Sequence, residues 1–279
     1  MSWEAYPDAA SRKTGVFLWI NCRPFIFRMG AGPVFLWIGT LLEHGMARYL
    51  ASFADDYRSD IKAVIVISAH WESPTIKVTG SRQPELIYDY HGFPAHTYNL
   101  KWPAPGAPEL ARQAVDMLSA GGITAELDRQ RGYDRGVFIP FLLAFEQADI
   151  PTIQISLSSD LSPETHLQMG RLLAPLRKEG VLIVGSGMSY HDVGALMGRK
   201  EVAGAAEFDT WLSESMLDIK GRETHLANWA DAPFARVCHP REEHLLPLHI
   251  VAGAAMGEKA ERSYQENVMG AAISAFKFG

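Results

Sequence analysis

The sequence predicts a layered α/β domain, and three observations carry that reading. IKAVIVISAH at 61–70 is a near-continuous apolar run rich in β-branched residues, the pattern of a strand buried on both faces. TIQISL at 152–157 and VLIVGSG at 181–187 repeat it. Helical stretches are interleaved at 107–121, 162–180 and 203–219, and strands alternating with helices build a sheet covered by helices.

Each element has local reasons. The segment 162–180 opens on Ser162, carries Glu164 early and basic residues late, and stops at Gly180, so cap and dipole agree on one helix. A last helix is expected in REEHLLPLHIVAGAAMG, with Pro247 kinking it or lying near its start. VMGAAISAFKFG reads as a closing strand, and FIFRMGAGPV at 25–34 as a strand running into a glycine-rich corner. With no repeat, low-complexity tract or linker, residues 1–279 are expected to form a single domain, with 1–14 a loose N-terminal tail.

Composition bounds the partners. The chain is 279 residues long, 47% hydrophobic and 21% charged, enough for a sizeable core. A net charge of -6 without a K/R-rich cluster argues against a nucleic-acid partner. Arg23, Pro24, Arg28 and Pro33 interrupt the apolar stretch from Gly15 to Leu42, so no run of about 18 apolar residues marks a membrane span. Its aromatics suggest a covered interface, and a homodimer is the expectation. The two cysteines, Cys22 and Cys238, lie far apart and make no disulfide framework, which suits a cytoplasmic protein.

Chemistry concentrates in histidines. Ligands of α/β sheets bind beyond the carboxyl ends of strands, and His70 and His191 both fall at such ends. The third cluster is CHPREEHLLPLH at 238–249. Pro240 suits the first turn of a helix and Glu242 and Glu243 its positive end, which sets His244 one turn in. His239 and His249 lie five residues to either side and face other directions. No HExxH spacing is present, yet imidazoles from two strand ends and a helix start are what a shallow Fe(II) or Zn(II) centre requires. The sequence has no GxSxG elbow, Walker loop or GxGxxG. The long aromatic segment 85–106 reads either as a packed surface loop or as the wall of a pocket for a flat ligand.

Six stretches stand in a recognisable order: SAHWE (68–72), IYDYHGFP (87–94), YNLKWPAPG (98–106), DIPTIQISL (149–157), GSGMSYHD (185–192) and HPREEHLLPL (239–248). Together they closely resemble the class III extradiol ring-cleavage dioxygenases, in the single-domain 4,5-DOPA dioxygenase-like branch, from about Ile26 onward. The resemblance implies a three-layer α/β/α domain with a mixed, mostly parallel central sheet, and a mononuclear site for Fe(II), with Zn(II) possible in its place. It implies an extradiol dioxygenase that opens a catechol-type aromatic ring with O2. His70 and His244 would be metal ligands, and His191 the acid–base histidine, also counted as a ligand. Arg135, Met29, Tyr88 and Tyr133 would lie on the substrate side.

Two positions depart from the family pattern. The opening corner, where the family carries a ligand histidine, reads Arg28-Met29-Gly30-Ala31-Gly32-Pro33, and a thioether is a poor ligand for Fe(II) or Zn(II). The family's Asp-His-Gly turn is Asp134-Arg135-Gly136. Three readings accommodate both: a metal-poor relative that binds an aromatic ligand or partner without ring cleavage; a lyase or hydrolase in which Arg135 grips a carboxylate or phenolate; or a site completed by another group, such as His44.

Overall fold

The computed structural model describes residues 15–19, 45–53 and 57–279. The corner at 25–34 with Met29, and also Cys22 and His44, lie outside them. Strands β1 (Gly15–Trp19), β2 (Ala63–Ser73), β3 (Ile76–Thr79), β4 (Ala125–Asp128), β5 (Thr152–Ser158), β6 (Val181–Gly187), β7 (Ala260–Val268) and β8 (Ala271–Phe278) make one sheet. Its order is β4-β3-β5-β2-β6-β1-β8-β7. The centre, β5-β2-β6-β1, is parallel; β8 joins β1 antiparallel and β7 joins β8 antiparallel.

The helices are α1 (Gly45–Phe53), α2 (Pro108–Ala120), α3 (Arg135–Ala144), α4 (Pro163–Leu173), α5 (Val193–Leu196), α6 (Ala205–Leu217), α7 (Arg222–Ala227), α8 (Ala235–Cys238) and α9 (Leu246–Ala255). Every residue of β5 and β6, and Ala63–Ala69 of β2, is buried, so both faces of these three strands are covered. Helix α9 packs on α4 and against β6 and β1, while α1 and α3 pack together with α3 against β2. The predicted three-layer α/β/α architecture with a mostly parallel sheet is the one observed.

The strong strands and helices fall where the sequence puts them, and the differences have local causes. Ser162 caps α4, its hydroxyl accepting from the Thr165 N–H at 3.2 Å. The helix ends at Leu173, and Pro175, which has no N–H to donate, turns the chain into a 3-10 segment (Ala174–Glu179) closed by Gly180 at φ 89°. Pro247 sits in the first turn of α9, whose ten residues are all buried.

Helix α3, RGVFIPFLLA, escapes sequence reading because it is apolar all round and contains Pro140. β7, AERSYQENV, escapes because it is a polar edge strand. The terminal segment is a hairpin rather than one strand: Met269 and Gly270, at φ 54° and 91°, form the two-residue turn that joins β7 to β8. Among the described residues no helix is long and apolar enough to cross a membrane.

Candidate metal centre

His70 lies inside β2, which runs on to Ser73, and not at its last residue as the sequence suggested. The ladder with β5 is regular up to Ile67↔Ile155 and resumes at Glu72↔Leu157. Ser68 still pairs with Ser186 of β6, but between Ile67 and Glu72 the strand bulges away from β5, and His70 sits on that bulge, a common way to aim a side chain into a site.

β6 ends at Gly187, and the chain beyond it is held against the segment 238–244. The Met188 N–H donates to the His244 carbonyl at 2.9 Å, and the His191 N–H to the Cys238 carbonyl at 2.8 Å. A Cβ on residue 187 would lie 2.2 Å from the His244 carbonyl oxygen, so only glycine lets the two backbones close.

Pro240 does not open a helix. Residues 240–245 form turns, α9 begins at Leu246, and His244 precedes the helix. Arg241 fastens this turn to β2, donating to both carboxylate oxygens of Glu72 at 2.5 and 2.6 Å.

These backbones bring His191 and His244 face to face, with ring centroids 3.4 Å apart and planes at 17°. Oε1 of Glu243 takes both rings: His244 Nδ1 at 2.9 Å and His191 Nδ1 at 3.2 Å. His191, Glu243 and His244 each offer one ligand atom, all within 4.8 Å of one another. The His70 ring stands 5.3 Å from that of His244, edge-on. The four side chains are between 11 and 13% exposed, which describes a shallow recess rather than a sealed core.

Electrostatics tune the donors. Burial, helped by His191, pushes His244 well below the ordinary histidine range, so it is neutral at pH 7 with a lone pair to give. Burial works to raise the Glu243 carboxyl, but the hydrogen bonds from His191 and His244 overcome it and hold it well below the usual carboxylate range. Its Oε2, buried, accepts no hydrogen bond among the described residues; Arg241 lies 3.4 Å from it.

The chain from 46 to 277 matches the family model described as the catalytic LigB subunit of aromatic ring-opening dioxygenase. The chain belongs to the LigB family. Among curated relatives, the dioxygenase tasH of Hapsidospora irregularis is 37% identical over 253 residues, covering 85% of this chain and 77% of that protein. The 4,5-DOPA dioxygenase extradiol of Beta vulgaris is 37% identical over 228 residues, covering 77% and 82%. A crystal structure of an uncharacterized Escherichia coli K12 protein superposes with a TM-score of 0.69 at 28% identity, over 83% of this chain and 92% of that one.

Other residues singled out in this LigB chain have different fates. Tyr133 is fully buried and its hydroxyl donates to the Thr152 carbonyl at 2.6 Å, so it packs within the core. Tyr88 is half-buried; its hydroxyl donates to the Leu100 carbonyl at 2.6 Å and its ring meets Phe138 edge-on. Arg135 does not stand open for a substrate carboxylate: its NH1 lies 3.2 Å from Oδ2 of Asp89 and also donates to the Asp89 carbonyl. His239 and His249 are buried and bonded to backbone carbonyls, apart from the cluster. Glu243 was missed as a member of the site because a helix start explained it; the acid adjoining His244 was the available signal.

Proposed function

We propose that this protein opens a catechol-type ring with O2, by extradiol cleavage, at a mononuclear non-haem metal centre, with residues 1–279 as one catalytic domain. The observation that carries the reading is the convergence of His70, His191, Glu243 and His244 in one recess of a LigB-family chain. Two imidazoles with one carboxylate form a donor set suited to Fe(II), and a neutral His244 beside an anionic Glu243 with an oxygen to offer fits that ion. Glu243 and His244 would hold it, with His70 beside His244 as a further ligand and His191, whose ligand atom lies in the same group, able to join them. Fe(II), with Zn(II) as a substitute in the ligand sphere, would supply Lewis acidity toward the two adjacent catechol oxygens and, as iron, the redox chemistry that O2 requires.

The chain's own groups do the rest. With Nδ1 directed at Glu243, His191 would use Nε2 to take a proton from a catechol hydroxyl and later return it to the ring-opened product. The loop 85–106, fastened by the Tyr90 hydroxyl on the Thr97 carbonyl and by Tyr88, would supply a flat wall for the ring.

Anaerobic reconstitution with Fe(II), followed by oxygen uptake on a panel of catechols, tests the reading. Folded protein with iron near one per chain is expected to consume O2 and form a yellow ring-opened product. Loaded protein that consumes none with any catechol would exclude it.

A metal-poor family member is the second reading, and Met29 at the family's ligand position favours it. In that case Met29→His should raise Fe(II) affinity; under the first reading it should leave affinity the same or lower it.

A further inference from the structure

We propose that Asp89 is a positioning residue: its carboxylate, seated between His70 and Arg135, fixes the His70 proton on Nδ1 and so keeps Nε2 as that ring's ligating nitrogen. The inference rests on the metal-centre reading and goes beyond it in assigning what sets the tautomer of His70.

Oδ2 of Asp89 lies 3.6 Å from His70 Nδ1 and 3.2 Å from Arg135 NH1. Its Oδ1 accepts the Arg135 backbone N–H at 2.9 Å, and Arg135 NH1 also donates to the Asp89 carbonyl. Asp89 is thus tied to the first turn of α3 at three points and cannot swing away from His70. The flanking tyrosines brace the same peptide, Tyr88 through the Leu100 carbonyl and Tyr90 through the Thr97 carbonyl.

A second carboxylate faces the same nitrogen. Oδ1 of Asp134 is 3.9 Å from His70 Nδ1 and already accepts from Ser68 Oγ at 2.8 Å and Gly136 N at 2.9 Å. A Cβ on Gly136 would come within 3.2 Å of His70 Nδ1 and 2.3 Å of Ser68 Oγ, so the glycine keeps this pocket open. Both oxygens lie beyond hydrogen-bond distance and act on Nδ1 through their charge, which favours the proton there, and a ligand histidine whose other nitrogen faces a carboxylate is oriented and made more basic. Asp134 is spent on the N-cap of α3; Asp89, from the aromatic loop, supplies the nearer carboxylate. Arg135, where the family pattern has a histidine, acts here through Asp89.

The test uses the whole chain. On metal-free, histidine-labelled protein, nitrogen-15 NMR should show His70 protonated on Nδ1, and Asp89→Asn should move it toward a mixed or Nε2–H tautomer. Asp89→Glu should restore the Nδ1 proton. Cobalt(II) titration should show roughly 10–100-fold weaker binding in Asp89→Asn, and no further loss from that change in a His70→Ala background. Asp89→Ser serves if the asparagine variant does not fold. An unchanged tautomer in Asp89→Asn, or equal cobalt losses in both backgrounds, would overturn the proposal. If the wild-type chain bound no cobalt(II), the metal-centre reading would fail, and the tautomer measurement would still decide whether Asp89 sets the proton.

Discussion

His191 and His244 stack with their centroids 3.4 Å apart and share one carboxylate oxygen of Glu243. Neither ring can turn without losing the stack or the hydrogen bond, so the pair is preorganised before any ligand arrives. The two histidines nonetheless differ in their proposed tasks, one holding the ion and the other moving a proton.

Substitution separates those tasks. His244→Ala is expected to abolish stoichiometric iron, read by elemental analysis after anaerobic loading. His191→Asn is expected to keep iron near one per chain while ring opening slows by about 10²–10⁴-fold, the usual worth of a general acid–base. Loss of iron in both variants would instead make His191 a ligand.

Glu243→Gln keeps the shape and removes the charge that both imidazoles face. Metal affinity should fall at least about tenfold, measured by competition with a chromophoric chelator. An unchanged affinity would show that the carboxylate is dispensable to the centre.

The clamp between Glu72 and Arg241 ties the His70 bulge to the turn that carries His244. Because the pair is part-exposed, Arg241→Met should cost little global stability. Metal binding should still weaken several-fold, and more strongly at low salt than at high. A purely structural surface pair would leave the affinity alone.

The stability of the metal-free protein should depend on pH through its buried histidines. Burial lowers His239 to about 3 and His249 to about 4, and it also lowers His166 and His244. Each is neutral in the fold and free to protonate when unfolded, so the unfolded chain takes up more protons once the pH drops below 6.5. Stability is full above that value and falls steadily toward pH 4. Urea midpoints at pH 7.5, 6 and 5 should decrease in that order, and equal midpoints would contradict the assignment.

Gly187→Ala would place a methyl 2.2 Å from the His244 carbonyl oxygen, against backbone that cannot yield cheaply. A loss of about 1–3 kcal/mol is expected from chemical denaturation, together with weakened metal binding. Neutral behaviour would mean that the β6 end can separate from the turn at 244.

Much was legible in the sequence because local chemistry and burial agreed. Continuous β-branched runs gave β2, β5 and β6, Ser162 and Gly180 bounded a helical segment, and the motifs around His70, His191 and His244 carried the resemblance to a ring-cleavage family. Helix α3 and strand β7 were not legible, since an all-apolar helix containing proline and a charged edge strand both lack the periodicity that reveals an element.

Which histidines meet, and what lies between them, only the tertiary structure decided. His191 and His244 are 53 positions apart in the chain, and their stacking depends on the strand end at Gly187 closing on a turn that local signals read as a helix. Burial turned Tyr133 into core. Long-range pairing took Arg135 into Asp89 and gave Glu243 to two imidazoles at once. Residue types are a local property, but a site depends on distances that folding sets.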